Sequence, residues 1–151
     1  MKTYNYEDFS TGDSYESGPY AVSEAEIIEF AEKYDPQPFH TDPKAAEDTV
    51  FKGLAASGWH TAAMSMNLLV RALPPVEGGG MIGKEILNMK WQRPVRPGDV
   101  LHYKCEITEM RSSKSKPEIG IIRGHSTTYN QNGETVQTLE VIMMAPRRNK
   151  D

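Results

Sequence analysis

Residues 59–73 limit the folding options of this chain more than any other stretch. They carry apolar side chains at Ala62, Ala63, Met64, Met66, Leu68, Leu69, Val70 and Leu73. These occur nearly all round a 3.6-residue period, which predicts a helix buried on most sides rather than laid on a surface. Pro74-Pro75 end it. Beyond the prolines the apolar period changes to two. Within 85–95, Leu87, Met89 and Trp91 alternate with Asn88, Lys90 and Gln92. Within 100–110, Leu101, Tyr103, Cys105 and Ile107 share one face. Segments 118–130 and 134–144 flank Asn130-Gln131-Asn132-Gly133, a hairpin turn whose Asn-Gly pair favours positive φ. Pro97-Gly98-Asp99 is another turn. Helices come first and antiparallel strands after, an α+β pattern. A sheet beside one almost wholly apolar helix is expected to wrap it.

Upstream of that helix the signals are local. A polar lead-in precedes a strand near 13–20. Ser23 with Glu26 three residues on is a capping-box pattern, and Ile27, Phe30, Ala31 and Tyr34 form one helical face, so a helix is expected over 23–34. Pro36 bars its continuation. Asp42 followed by Pro43 is an N-cap with proline at the first helical position, starting a second, short helix. The 151 residues suit one domain, with a core over about 10–146 and a frayed tail at 147–151.

Composition narrows the function classes. The formal net charge of −4 argues against a broad nucleic-acid or anionic-membrane surface. Cys105 is the single cysteine, which excludes an internal disulfide and any multi-cysteine metal centre. No basic-plus-apolar leader opens the chain and no apolar run reaches about 18 residues, so a cytoplasmic protein with no membrane span is expected.

Two segments carry chemistry. The first is Tyr34-Asp35-Pro36-Gln37-Pro38-Phe39-His40-Thr41-Asp42-Pro43, which sets a carboxylate and an imidazole five positions apart. Each proline restricts the residue before it, so Asp35 and Gln37 are expected to be extended in a stiff loop joining two helices. Such a loop suits an acid/base pair; Asp35 alone would equally serve as a cap. The second is Ala55-Ala56-Ser57-Gly58-Trp59-His60, leading into the apolar helix. The first N–H groups of a helix lack internal partners, and a glycine there lets a ligand approach them. A carbonyl oxygen gaining charge would be stabilised at Gly58; tight helix entry is the alternative use of that glycine. Asp35, His40, Asp42 and His60 match no standard metal spacing, so no metal is expected. No G-x-S-x-G elbow surrounds Ser57, and Gly78-Gly79-Gly80 lacks the residues of a phosphate loop. Lys84, Lys90, Arg93 and Arg96 read as solvated surface.

D-P-Q-P-F-H-T-D-P-K-A-A, starting at Asp35, resembles the hydratase-2 motif G-D-x-N-P-x-H-x-D of the MaoC-like dehydratases, with Asp35, Pro38, His40, Asp42 and Ala46 in register. L-A-A-S-G-W-H-T-A-A is similar to the family segment ending in A-H-G-M before the central helix. M-K-W-Q-R-P-V-R-P-G-D-V-L resembles its P-V-x-x-G-D strand and turn. The resemblance implies a single hot-dog domain, an antiparallel sheet wrapped around a long central helix, assembled as a homodimer or a dimer of dimers. It also implies (R)-specific hydration of trans-2-enoyl-CoA, or dehydration of 3-hydroxyacyl-CoA thioesters. Asp35 and His40 would be the catalytic pair and Gly58 the N–H donor to the thioester carbonyl. No cofactor is implied, CoA entering only as part of the substrate. Three positions depart from the family pattern. Tyr34 replaces a glycine, Ser57 stands where histidine is usual, and Gln37 replaces an asparagine while keeping its amide. Gln37 and Ser57 join Gly58 in the expected substrate-binding set. The alternatives within the fold are an acyl-CoA thioesterase and a non-catalytic acyl-thioester-binding subunit.

Overall fold

The lead-in makes a 3-10 turn at Tyr6–Asp8 and then strand β1, Ser14–Ala21. Helices α1 (Glu24–Tyr34), α2 (Pro38–Thr41), α3 (Pro43–Ala46) and α4 (Gly58–Ala72) come next. Strands β2 (Ile82–Trp91), β3 (Val100–Ser112), β4 (Ile119–Tyr129) and β5 (Thr135–Pro146) complete the chain. The structure, a computed structural model, describes residues 1–148. The five strands form one sheet in the order β1-β3-β4-β5-β2, with every neighbouring pair antiparallel. The helices leave the sheet at one edge, β1, and the chain returns at the other, β2. Helix α4 lies across the sheet face. This is the expected α+β hot-dog fold.

The local signals act as read. Ser23 Oγ accepts the Glu26 N–H at 3.1 Å and caps α1. The Glu26 carboxylate does not close the capping box. Its Oε1 accepts the Tyr20 hydroxyl at 2.8 Å and lies 3.2 Å from His60 Nε2, so it ties α1 to β1 and α4. Asp42 Oδ1 accepts from Lys44 N–H and Ala45 N–H, at 3.0 and 3.1 Å, and starts α3 with Pro43 behind it. The β4–β5 turn has Gly133 at φ 72°, and Asn130 Oδ1 accepts from the N–H groups of Asn132 and Glu134.

Four expectations need correction. The segment around His40 is no simple loop: Gln37 is extended as expected and caps the one-turn helix α2, with Pro38 at its first position. Proline's fixed φ is preorganised for that position, so Pro38 starts α2 two residues after Pro36 bars α1 from continuing. Asp35 is not extended; at φ −155° and ψ 67° it is the C-cap of α1. Helix α4 is buried on one side only. Thr61, Met64, Ser65, Leu68 and Leu69 are buried, while Trp59, Met66 and Val70 are exposed, as are Ile82, Ile86 and Trp91 of edge strand β2. The tail is docked at its start. The Arg148 guanidinium lies 2.7 Å from Asp8 Oδ2, and Arg147 Nε is 3.7 Å from Glu7 Oε1. The remaining tail, 149–151, lies outside the described residues.

The core is apolar with a polar seam. Leu68, fully buried, contributes about 2 kcal/mol by transfer from water alone. Ser65 Oγ pairs with Thr128 Oγ1 at 2.7 Å, and Tyr103 OH pairs with Ser126 Oγ, so these buried hydroxyls are satisfied. Cys105 is buried, and burial pushes its thiol pKa up, away from nucleophilic use. Among the described residues no helix is long and apolar enough to cross a membrane.

Candidate active site

The stop of α1 and the start of α4 meet in space. Asp35 ends α1, His40 sits in α2, and Ser57 immediately precedes α4. His40 is buried between Phe39, whose ring stands edge-on at 4.5 Å, and Phe51 at 5.9 Å. Its Nδ1 lies 2.7 Å from the Ala55 carbonyl oxygen. A carbonyl only accepts, so Nδ1 carries a proton and donates it there, which turns Nε2 toward Asp35. That Nε2 is 3.4 Å from Asp35 Oδ2. A backbone oxygen therefore fixes the direction of the imidazole.

Asp35 is held from two further sides. Ser57 Oγ donates to Oδ2 at 2.7 Å, and Gln37 Nε2 donates to Oδ1 at 2.6 Å. Burial raises the carboxyl pKa. The bonds from Ser57 and Gln37, with His40 nearby, outweigh burial and hold it below the usual carboxylate range. The carboxylate is thus ionised at neutral pH.

Ser57 is a good N-cap residue type, yet its side chain makes no cap bond to α4. The hydroxyl goes to Asp35 instead. The leading N–H groups of α4 are left without a side-chain cap, at the positive end of the longest helix. Gly58 is the first of them. It lines one cavity of about 310 Å³ together with Asp35, His40, Trp59, Thr61 and Trp91. The glycine is required here: a Cβ at Gly58 would come within 2.6 Å of the Trp91 ring.

Asp35, His40 and Gly58, singled out in the sequence, therefore share one cavity. Gln37 and Ser57, expected in the substrate-binding set, both donate to the Asp35 carboxylate. Arg96, expected on solvated surface, is a structural anchor. Its guanidinium donates to the carbonyls of Gly53 at 2.9 Å, Leu54 at 3.2 Å and Phe51, and so holds the loop before α4. Arg93 lines the cavity and pairs with Glu134 at 3.1 Å. The Ala55 carbonyl and Trp91 were not foreseen. A backbone carbonyl leaves no trace in residue type, and Trp91 showed only as an alternating strand residue.

The MaoC-like domain model matches residues 8–129, most of the chain. The protein belongs to the MaoC-like family. The solved MaoC-like dehydratase of Rhodospirillum rubrum superposes with a TM-score of 0.89 at 42% identity, covering 97% of this chain and 99% of that one. The (R)-hydratase PhaJ1 of Pseudomonas aeruginosa, in its unliganded form, gives a TM-score of 0.77 at 26% identity over 95% of this chain and 86% of its own. The uncharacterized protein YdeM of Bacillus subtilis is 30% identical over 142 residues, 93% of this chain and 98% of YdeM. The MaoC-like match spans every element from β1 to the end of β4, and so includes Asp35, His40 and Gly58.

Proposed function

We propose that this MaoC-like protein hydrates trans-2-enoyl-CoA thioesters with (R) stereochemistry and, in reverse, dehydrates 3-hydroxyacyl-CoA. The observation that carries the reading is the single cavity bounded by the ionised Asp35, the oriented His40 and the uncapped helix N-terminus at Gly58. Similarity to a protein named a dehydratase and to one named an (R)-hydratase supports it.

The chemistry is built on that geometry. The thioester carbonyl sits at the Gly58 N–H. A water is held between Asp35 Oδ2 and His40 Nε2. Its oxygen bonds to Cβ as one of its protons passes to the dyad. The C=C π electrons move toward the carbonyl, whose oxygen gains charge and is held by the helix N–H. The dyad then returns its proton to Cα. One water is consumed and both its hydrogens remain in the product, so no redox cofactor is needed. CoA enters as the carrier portion of the substrate and supplies remote binding energy.

The exposed apolar side chains of β2 and of α4's outer face form a patch of the kind that marks an interface. β2 is a sheet edge with one free row of backbone groups. A homodimer joined along β2 would cover both. The test of function is crotonyl-CoA with purified protein. Loss of enoyl absorbance without release of free thiol supports hydration. Thiol release points to a thioesterase, and saturable binding without turnover points to a carrier subunit.

A further inference from the structure

Trp91 stands where β2 leaves the sheet, and its indole touches two elements. It packs on the backbone of Gly58, so closely that a Cβ there would lie 2.6, 2.8 and 2.9 Å from three ring atoms. Its Nε1–H donates to Gln137 Oε1 on β5 at 2.9 Å, and Trp91 and Gln137 are register partners. Trp59 meets it edge-on, with centroids 5.8 Å apart. The ring therefore reaches from the N-terminus of α4 to the sheet floor, and it is locked at both ends.

The space between α4 and β5 past these residues is mostly apolar, with Ser65, Tyr103 and Ser126 also at its wall. One turn along α4 from Gly58, about 6 Å, is Ala62. Two residues along β5 from Gln137, about 7 Å, is Leu139. Ala62 and Leu139 both line a small void of about 30 Å³, together with Ile86 and Val141. Further on, Met66, Leu69 and Val141 lead into a second cavity of about 370 Å³, lined also by Leu73, Met81 and Met143. This trough runs between α4 and strands β5 and β2. The catalytic cavity, about 310 Å³, is at the small end for a ligand pocket.

We infer that Trp91 is a specificity-determining residue, a partition between the catalytic cavity and the apolar trough under α4 that restricts this protein to short acyl chains. The inference rests on the hydratase reading of the same cavity. A thioester whose carbonyl sits at Gly58 N–H directs its acyl tail either into the catalytic cavity or against the indole. A short tail fits the first. A long tail needs the trough, and the indole fills the gap between Gly58 and Gln137 through which it would pass. The hydrogen bond to Gln137 keeps the ring from rotating away.

The experiment is a chain-length series from crotonyl-CoA to trans-2-decenoyl-CoA, with kcat/KM measured for wild type, W91A and W91F. Wild type is expected to favour crotonyl-CoA. W91A is expected to raise the decenoyl-to-crotonyl ratio by roughly tenfold or more, the scale of hydrocarbon discrimination in a pocket. W91F keeps a ring but loses the bond to Gln137, so its decenoyl-to-crotonyl ratio is expected to fall between those of wild type and W91A. Equal efficiency of wild type on crotonyl- and decenoyl-CoA overturns the partition even if W91A does not fold, and so does an unchanged ratio in folded W91A. In both cases hydration itself stands. Failure of wild type to hydrate any member of the series overturns the hydratase reading and the partition with it.

Discussion

Ser57 Oγ donates to Asp35 Oδ2 at 2.7 Å, although Ser57 holds the N-cap position of α4, where its hydroxyl would ordinarily bind the helix. One diverted hydroxyl has two effects. It stabilises the ionised carboxylate, and it leaves the leading N–H groups of α4 for a ligand oxygen.

Activity should depend on pH through Asp35. In the proposed mechanism Asp35 acts as a base, so only its ionised form is active and activity falls as pH drops through its pKa. Its bonds from Ser57 and Gln37 lower that pKa against burial, which raises it. Ser57→Ala and Gln37→Leu each remove a lowering contact. The acid limb of the kcat/KM profile is expected to move to higher pH in both variants. An unmoved limb in both would mean that the limb reports another group.

In the proposed mechanism, replacing Asp35 or His40 removes the proton work. Asp35→Asn and His40→Ala are expected to lower kcat by roughly 100- to 10,000-fold. Circular dichroism should remain that of the wild type, since the Asp35 backbone, which ends α1, is untouched by the first change. Near-wild-type kcat in either variant would remove that side chain from its assigned role.

Gly58→Ala tests packing rather than chemistry. Its Cβ would meet the Trp91 ring at 2.6 Å. Overpacking of this kind costs about 1–3 kcal/mol, read as a lower urea midpoint. Adding Trp91→Ala should recover most of that loss, because the two residues are in contact and their effects do not add. Simple additivity would show that the clash is relieved elsewhere.

Arg96→Met should destabilise the protein by about 3 kcal/mol, since the carbonyls of Phe51, Gly53 and Leu54 lose a charged donor. A urea titration measures it. Because Ala55 comes directly after that loop and its carbonyl orients His40, kcat should fall as well.

The sequence revealed most where cause and effect are close in the chain. Ser23 with Glu26, and Asp42 with Pro43, act within one helical turn, and their caps formed where read. The alternation through Leu101, Tyr103 and Cys105 is a strand's own period, and all three are buried. Asp35 and His40 were legible because both lie in one short motif. Ser57 reaches Asp35 across 22 residues, Arg96 reaches Gly53 across 43 and Trp91 reaches Gln137 across 46. Nothing local encodes those partners. The apolar outer face of α4 misled for a related reason: apolar periodicity records what is covered in the working protein, and on that side the described chain supplies no cover.

The most direct test uses crotonyl-CoA in heavy-oxygen water, with products read by mass spectrometry. Hydration at Asp35 and His40 predicts one heavy oxygen in the hydroxyl at C3 of an intact (R)-3-hydroxybutyryl-CoA, with no label in any free carboxylic acid. Label in free crotonic acid beside released CoA, or no labelled product at all, would contradict it.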